Sequence, residues 1–183
     1  APGSKTSHLA ALMLNQGQIF AFERVASRAE QLGELMVSRG ASIVTVHAMD
    51  FLKSKSSEEP LSQATHFLVD PSCSSSGMSS QPHSSETDLA DLAERQRQIL
   101  SHALSFPNAQ RVVYSTCSVF EQENEHVVAA TLKKHKAFRL ARALPWWHRR
   151  GVQGTFKKAD RCVRTTPEDG TIGFFLAVFE KRK

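Results

Sequence analysis

At 183 residues and 40% apolar content the chain can bury one domain-sized core, and its three cysteines, Cys73, Cys117 and Cys162, are too few and too odd a set for a disulfide framework, which points to a reducing compartment. No apolar run approaches the length needed to cross a bilayer, and the sequence shows no signal-peptide pattern. The net charge of +5 is unevenly spread: residues 1–130 carry 9 Lys/Arg against 14 Asp/Glu, residues 131–183 carry 14 against 4, a split that suits a polyanion partner, nucleic acid above all, or a solvated basic tail.

In chain order, Ala1-Pro-Gly-Ser-Lys-Thr6 reads as a loop opening a helix over 5–15, with no strand before it. A βα turn needs its strand, so the expectation is an N-terminally truncated chain lacking the first strand of its sheet. Residues 18–23 read as a strand, and 25–38 as an amphipathic helix closed by Gly40. Strands follow at 42–47 and 65–70, a long helix at 87–105 stopped by Pro107, a strand at 110–115, a helix at 122–135 and a late strand at 172–179. Apolar strands alternating with helices imply an α/β fold, a largely parallel sheet with helices on both faces. Two Ser-rich stretches interrupt the pattern; 54–63 reads as a surface loop, and 72–85, following a strand's carboxyl end, as a lid or substrate loop.

The chemistry-bearing residues fall at carboxyl ends of strands, where open α/β sheets keep their sites. Gly3 and Lys5 lie at a helix N-terminus, where free N–H groups attract negative charge. Glu23 ends the next strand, 18 residues after Lys5, close to the spacing at which dinucleotide folds place an acid on a ribose hydroxyl. Asp50 follows another strand, Asp70 opens D-P-S-C-S-S-S-G, and Cys117 closes V-V-Y-S-T-C. A structural cysteine belongs inside the strand among apolar neighbours; Cys117 sits where the strand meets solvent, among hydroxyl residues. Neither a phosphate-binding P-loop nor G-x-G-x-x-G is present, and the cysteine spacing suits no metal site. The nucleotide-like ligand left for this arrangement is S-adenosylmethionine.

A-P-G-S-K-T, D-P-S-C-S-S-S-G and Y-S-T-C-S followed by E-N-E, with L-A-E-R-Q-R-Q-I-L (92–100) and G-F-F-L-A (173–177), resemble the Sun-domain RNA 5-methylcytosine methyltransferases over most of the chain. Ser72, where a second Pro is usual, resembles the family's fifth branch, nucleolar enzymes that modify large-subunit ribosomal RNA. The resemblance implies a Rossmann-like class I fold spanning 1–183, S-adenosylmethionine as cofactor, no metal, RNA as partner, no membrane, a monomer, and a nuclear, nucleolar setting. It assigns the attacking thiolate to Cys117, release of the adduct to Cys73, and the cytosine edge and cofactor contact to Asp70. It places Ala1, Pro2, Gly3, Ser4 and Lys5 around the cofactor, Glu23 on its ribose, Asp50 on its adenine, and Arg28 on Glu23 or the cofactor itself.

An unperturbed thiol is only ~3% ionised at neutral pH, so Cys117 needs a nearby helix N-terminus or a cation such as Lys5. Cys162, without a motif, reads as structural. Trp146-Trp147-His148-Arg149-Arg150 suits either base stacking or core packing of one Trp. The chain departs from the family pattern at Ser75, where Gly is usual, and at Ile172-Gly173-Phe174-Phe175, where Asp-Gly-Phe-Phe is usual. Two other readings stand beside the RNA methyltransferase: a DNA cytosine-5 methyltransferase attacking through Cys73, and a catalytically silent RNA-binding module on the same fold.

Overall fold

A computed structural model describes residues 1–78 and 86–182. The chain forms two compact units, Ala1–Lys55 and Ser56–Lys183. The first contains α1 (Ser4–Leu12), β1 (Ile19–Phe22), α2 (Ala26–Ser38) and β2 (Val44–His47). β1 and β2 pair in parallel from Ile19 opposite Val44 to Phe22 opposite His47; a parallel pair needs a long crossover, and α2 supplies it. Ala29, Leu32 and Met36 recur on one face of α2 and are buried. Leu32 and Met36 join Ala10 and Ala41 in a small core packed by Ile19, Ala21, Val44 and Val46. Beyond Arg39 the chain takes a left-handed turn at Gly40 (φ 62°), whose N–H reaches the Val37 carbonyl and ends the helix.

The second unit contains β3 (His66–Val69), α3 (Glu86–Leu104), β4 (Arg111–Thr116), α4 (Glu125–Lys134), β5 (Phe138–Ala141), β6 (Val163–Thr165) and β7 (Phe174–Lys181). Its sheet runs β3-β4-β7-β5, with β6 also on β7. Val112, Tyr114, Leu140, Phe175, Ala177 and Phe179 are fully buried in it. α3 packs on β3, β4 and α4.

The largely parallel sheet expected from the alternation is mixed instead. β4 is parallel to β3, but β7 runs antiparallel to β4, β5 and β6. The link from β6 to β7 explains it: residues 166–173 are too few for a crossover and turn the chain straight back, Thr165 opposite Phe174. Sequence reading missed β5 and β6 because F-R-L-A and V-R-T are short and carry an arginine mid-strand. The late strand begins and ends two residues later than expected, and α4 starts at Glu125 rather than 122. Among the described residues no helix is long and apolar enough to cross a membrane. The lid expected over 72–85 lies partly outside the described residues.

Candidate active site

Because β3 and β4 are parallel, Val69 opposite Tyr114, the two chain segments that leave them emerge at one sheet edge. Asp70 is exposed there and accepts a hydrogen bond from Ser115 Oγ at 2.8 Å. Two residues past Ser115, the Cys117 Sγ lies 3.3 Å from the Cys73 Sγ, both cysteines half-buried. The Gly77 N–H donates to the Cys117 carbonyl at 2.8 Å, and Gly173 N–H to the Gly77 carbonyl at 2.9 Å. A Cβ on Gly77 would meet the Gly173 carbonyl oxygen at 2.2 Å, so only glycine admits this backbone approach. Ser75 holds the left-handed conformation (φ 55°) that the family's usual glycine would take without strain.

Beneath the cysteines lies a buried polar network. Glu123 is wholly buried; it accepts from the Ser74 N–H at 3.0 Å, the Ser74 hydroxyl at 2.6 Å and the Gln96 amide at 2.8 Å. Gln96 also donates to the Ser72 carbonyl at 3.0 Å. Tyr114 donates to the Glu123 carbonyl at 2.5 Å. Thr116 donates to Asn124, whose amide donates to the Ser118 carbonyl at 2.8 Å. One residue beyond, Glu125 is also buried and accepts from Arg164 at 2.5 and 2.7 Å and from the Val152 N–H at 2.9 Å. Charged and polar groups survive such burial only when their hydrogen bonds are met, and these are.

Burial is the first cause that pushes the Cys73 thiol up, to about 11; the neighbouring Cys117 adds to it, against backbone N–H groups that pull down. Burial, then Glu123, holds the Tyr114 hydroxyl well above its ordinary range. Cys162 is buried and pushed up to about 12, chiefly by burial, in line with a structural role.

The remaining expected residues lie in the first unit. Gly3 caps α1 in a left-handed conformation (φ 114°), with Ser4 and Lys5 opening the helix. Glu23 follows β1 and Asp50 follows β2, so the parallel pairing sends both out at one edge of that sheet. Glu23 accepts from the Val25 N–H at 3.0 Å and meets the Ala1 amine at 3.3 Å and Arg28 at 3.5 Å. Burial raises its carboxyl, but these three partners outweigh burial and hold it below the usual range. Arg28 also donates to the Ala1 carbonyl at 2.9 Å, beside Pro2. Asp50 accepts from the Leu52 N–H at 3.0 Å and caps a short turn. In the second unit, Trp147 donates to the Arg164 carbonyl at 2.9 Å and packs in the core, while Trp146 is 74% exposed.

Sequence reasoning missed Gln96, Glu123 and Arg164 as parts of the site. One signal was available: Leu89, Gln96, Leu100 and Ala103 recur on one buried face of α3, and a Gln on an apolar stripe needs partners.

The family model described as 16S rRNA methyltransferase RsmB/F matches residues 1–180. A mouse 28S rRNA (cytosine-C(5))-methyltransferase is 45% identical over 99% of this chain and 41% of its own length. The fission yeast 25S rRNA (cytosine-C(5))-methyltransferase rcm1 is 40% identical over 97% of this chain and 42% of its own. The chain thus spans about two fifths of the length of these curated relatives. Among solved structures, NSun6 from Pyrococcus horikoshii, solved with SFG, superposes with a TM-score of 0.80 at 26% identity, covering 100% of this chain and 46% of that one. The fold is the Rossmann-like fold of S-adenosylmethionine-dependent methyltransferases, with a mixed sheet. Matched along almost all of its length, the chain belongs to the RsmB/F methyltransferase family.

Proposed function

We propose that this chain is the catalytic part of an RNA (cytosine-5-)-methyltransferase acting on large-subunit ribosomal RNA with S-adenosylmethionine. The observation that carries the reading is the approach of the Cys73 and Cys117 sulfurs to 3.3 Å at the edge where Asp70 also emerges. The names of the mouse and fission yeast relatives support the substrate. Nucleolar localisation and a monomeric enzyme go with this reading.

The first unit's residues fit the cofactor. Glu23, held ionised after β1, suits a ribose diol, Asp50 after β2 an adenine amine, and Gly3 gives α1 an N-terminus with backbone room. S-adenosylmethionine, when bound, supplies an electrophilic methyl group.

Cytosine carbon 5 is a poor nucleophile, and Cys117 changes that. Its thiolate forms a bond to carbon 6, the ring's double-bond electrons move to carbon 5, and carbon 5 takes the methyl. Asp70 accepts from the exocyclic amine and shares a proton with ring nitrogen 3, and that proton neutralises the negative charge that attack creates. The carbon 5 proton then leaves, the double bond re-forms and the sulfur of Cys117 departs. Cys73 is a thiol at neutral pH, able to donate a hydrogen bond to the Cys117 thiolate. Once Cys117 is bonded to carbon, its upward pull on Cys73 ends; Cys73 then gives its own proton to water and, as a thiolate, accepts the carbon 5 proton. Arg28 balances the charge of Glu23, and Lys5 places a second cation in the first turn of α1.

In the full-length protein, Cys117→Ala is expected to abolish methyl transfer, and Cys73→Ala to leave a trapped protein–RNA adduct that runs as a shifted gel band. Transfer at the normal rate by the Cys117 variant would refute this reading, and an adduct that depends on Cys73 would favour the DNA-type mechanism.

A further inference from the structure

At the other end of the second unit's sheet from the cysteines lies a basic hollow of about 310 Å³. Leu132, Phe138 and Phe156 supply its apolar walls. Its cations are Lys133 and Lys136 from the end of α4 and beyond, Arg139 from β5, Lys157 and Lys158 from the following loop, and Arg182 after β7. Phe138 is opposite Lys181 at the carboxyl end of β7, whereas Thr116, next to Cys117, is opposite Phe175 at its start. Six residues of strand separate the two places, about 20 Å at ~3.3 Å each. The hollow is therefore not part of the cysteine site.

Its charge is not internally neutralised. Arg139 pairs with Glu180 at 3.6 Å, and the Arg182 Nε donates to the Phe138 carbonyl at 3.4 Å. Among the described residues, none of Lys133, Lys136, Lys157 and Lys158 is in an ion pair. Four lysines converging without carboxylates repel one another, a destabilising arrangement that an external anion relieves. An apolar floor beneath a cationic rim matches a nucleotide chain, with sugar or base against the phenylalanines and phosphates on the ammonium groups. Residues 131–183, which build most of it, carry the chain's positive excess, 14 Lys/Arg against 4 Asp/Glu.

We propose that this hollow is a second RNA-docking site, holding backbone phosphates of the substrate strand while a cytosine some 20 Å away meets Cys117; the proposal rests on the RNA methyltransferase reading above. It sets affinity and register, and takes no part in the chemistry.

The test uses the full-length protein with Lys133, Lys136, Lys157 and Lys158 all changed to Gln. The slope of log affinity against log salt for single-stranded RNA is expected to fall by about 3, at ~0.7 per lost phosphate contact, with binding weakened about tenfold or more at moderate salt. kcat at saturating RNA stays at the wild-type value, and the four Lys→Arg changes together retain the slope. An unchanged slope in a Gln variant that still methylates RNA overturns the docking site and leaves the proposed activity standing. A wild-type protein that neither binds nor methylates RNA overturns both. Competition by polyglutamate as effective as that of RNA at equal charge would assign the hollow to an acidic protein and overturn the proposal.

Discussion

Glu123 and Glu125 stand two residues apart, both wholly buried, yet the regions they tie together are held by different chemistry. Around Glu123 every observed partner is neutral: the Ser74 N–H and hydroxyl and the Gln96 amide. These bonds draw the Cys73 loop and α3 onto the segment that follows Cys117. Around Glu125 the main partner is the Arg164 guanidinium, bonded through two nitrogens, with the Val152 N–H beside it. That pair ties α4 to β6, and Arg164 also donates to the Val119 carbonyl at 2.8 Å. One carboxyl group thus orders the site through neutral donors, and its neighbour anchors the sheet through a buried charge pair. The two should fail differently. Losing a neutral donor leaves an unmet hydrogen bond, whereas losing the arginine leaves a buried charge.

The largest stability effect is expected from Arg164→Ala, about 3–5 kcal/mol, because it strands the Glu125 carboxyl without its cation. Urea unfolding measures it, and a loss under about 1 kcal/mol would remove the contrast with Glu123. Glu123→Gln turns one accepting oxygen into a donor that faces Ser74. It is expected to cost about 1–3 kcal/mol, and to slow methyl transfer more than Arg164→Lys does, because the Cys73 loop is released. Equal slowing by both would mean that the network does not position the cysteines.

A smaller effect is expected in the titration of Cys73. Its folded thiol is raised to about 11 from an ordinary 9.0, burial first and Cys117 next. The folded chain therefore keeps a proton that the unfolded chain loses, so this contribution to stability is complete below about 9 and fades as pH climbs to about 11. Replacing Cys117 with Ala removes one upward influence, and the alkylation rate of Cys73 should then rise at lower pH. An unchanged profile would mean that the two sulfurs do not sense each other. The smallest effect is expected from Ser75→Gly, a gain of at most about 1 kcal/mol, since glycine relieves the left-handed strain but adds unfolded-chain entropy.

Much of the fold was legible from local pattern. The strands at 65–70 and 110–115 were expected within a residue or so of β3 and β4, because short β-rich runs end at Asp70 and at the Ser-Thr-Cys cluster. The helix expected over 25–38 is α2, because its apolar residues keep the helical period and Gly40 stops it. The candidate site was legible as a set of strand-final residues. What could not be read was the support beneath it. Gln96, Glu123 and Arg164 look in sequence like ordinary polar residues of helices and loops, and apart from Tyr114 the hydrogen-bond partners that hold their side chains lie 24 to 49 positions away. Asp50 also shows how a strand-final acid acquires a local role, since it caps the turn that follows it.

By itself the sequence determined that the chain is α/β, that Cys73 and Cys117 follow two of its strands, and that positive charge gathers in its last third. These are consequences of periodicity, turn residues and composition, which act within a few residues. The reversed direction of β7, the 3.3 Å approach of the two sulfurs and the mutual fit of Gly77 and Gly173 were decided only in the folded chain. Each depends on which distant segments pack together and on the need to hydrogen-bond every polar group that packing removes from water.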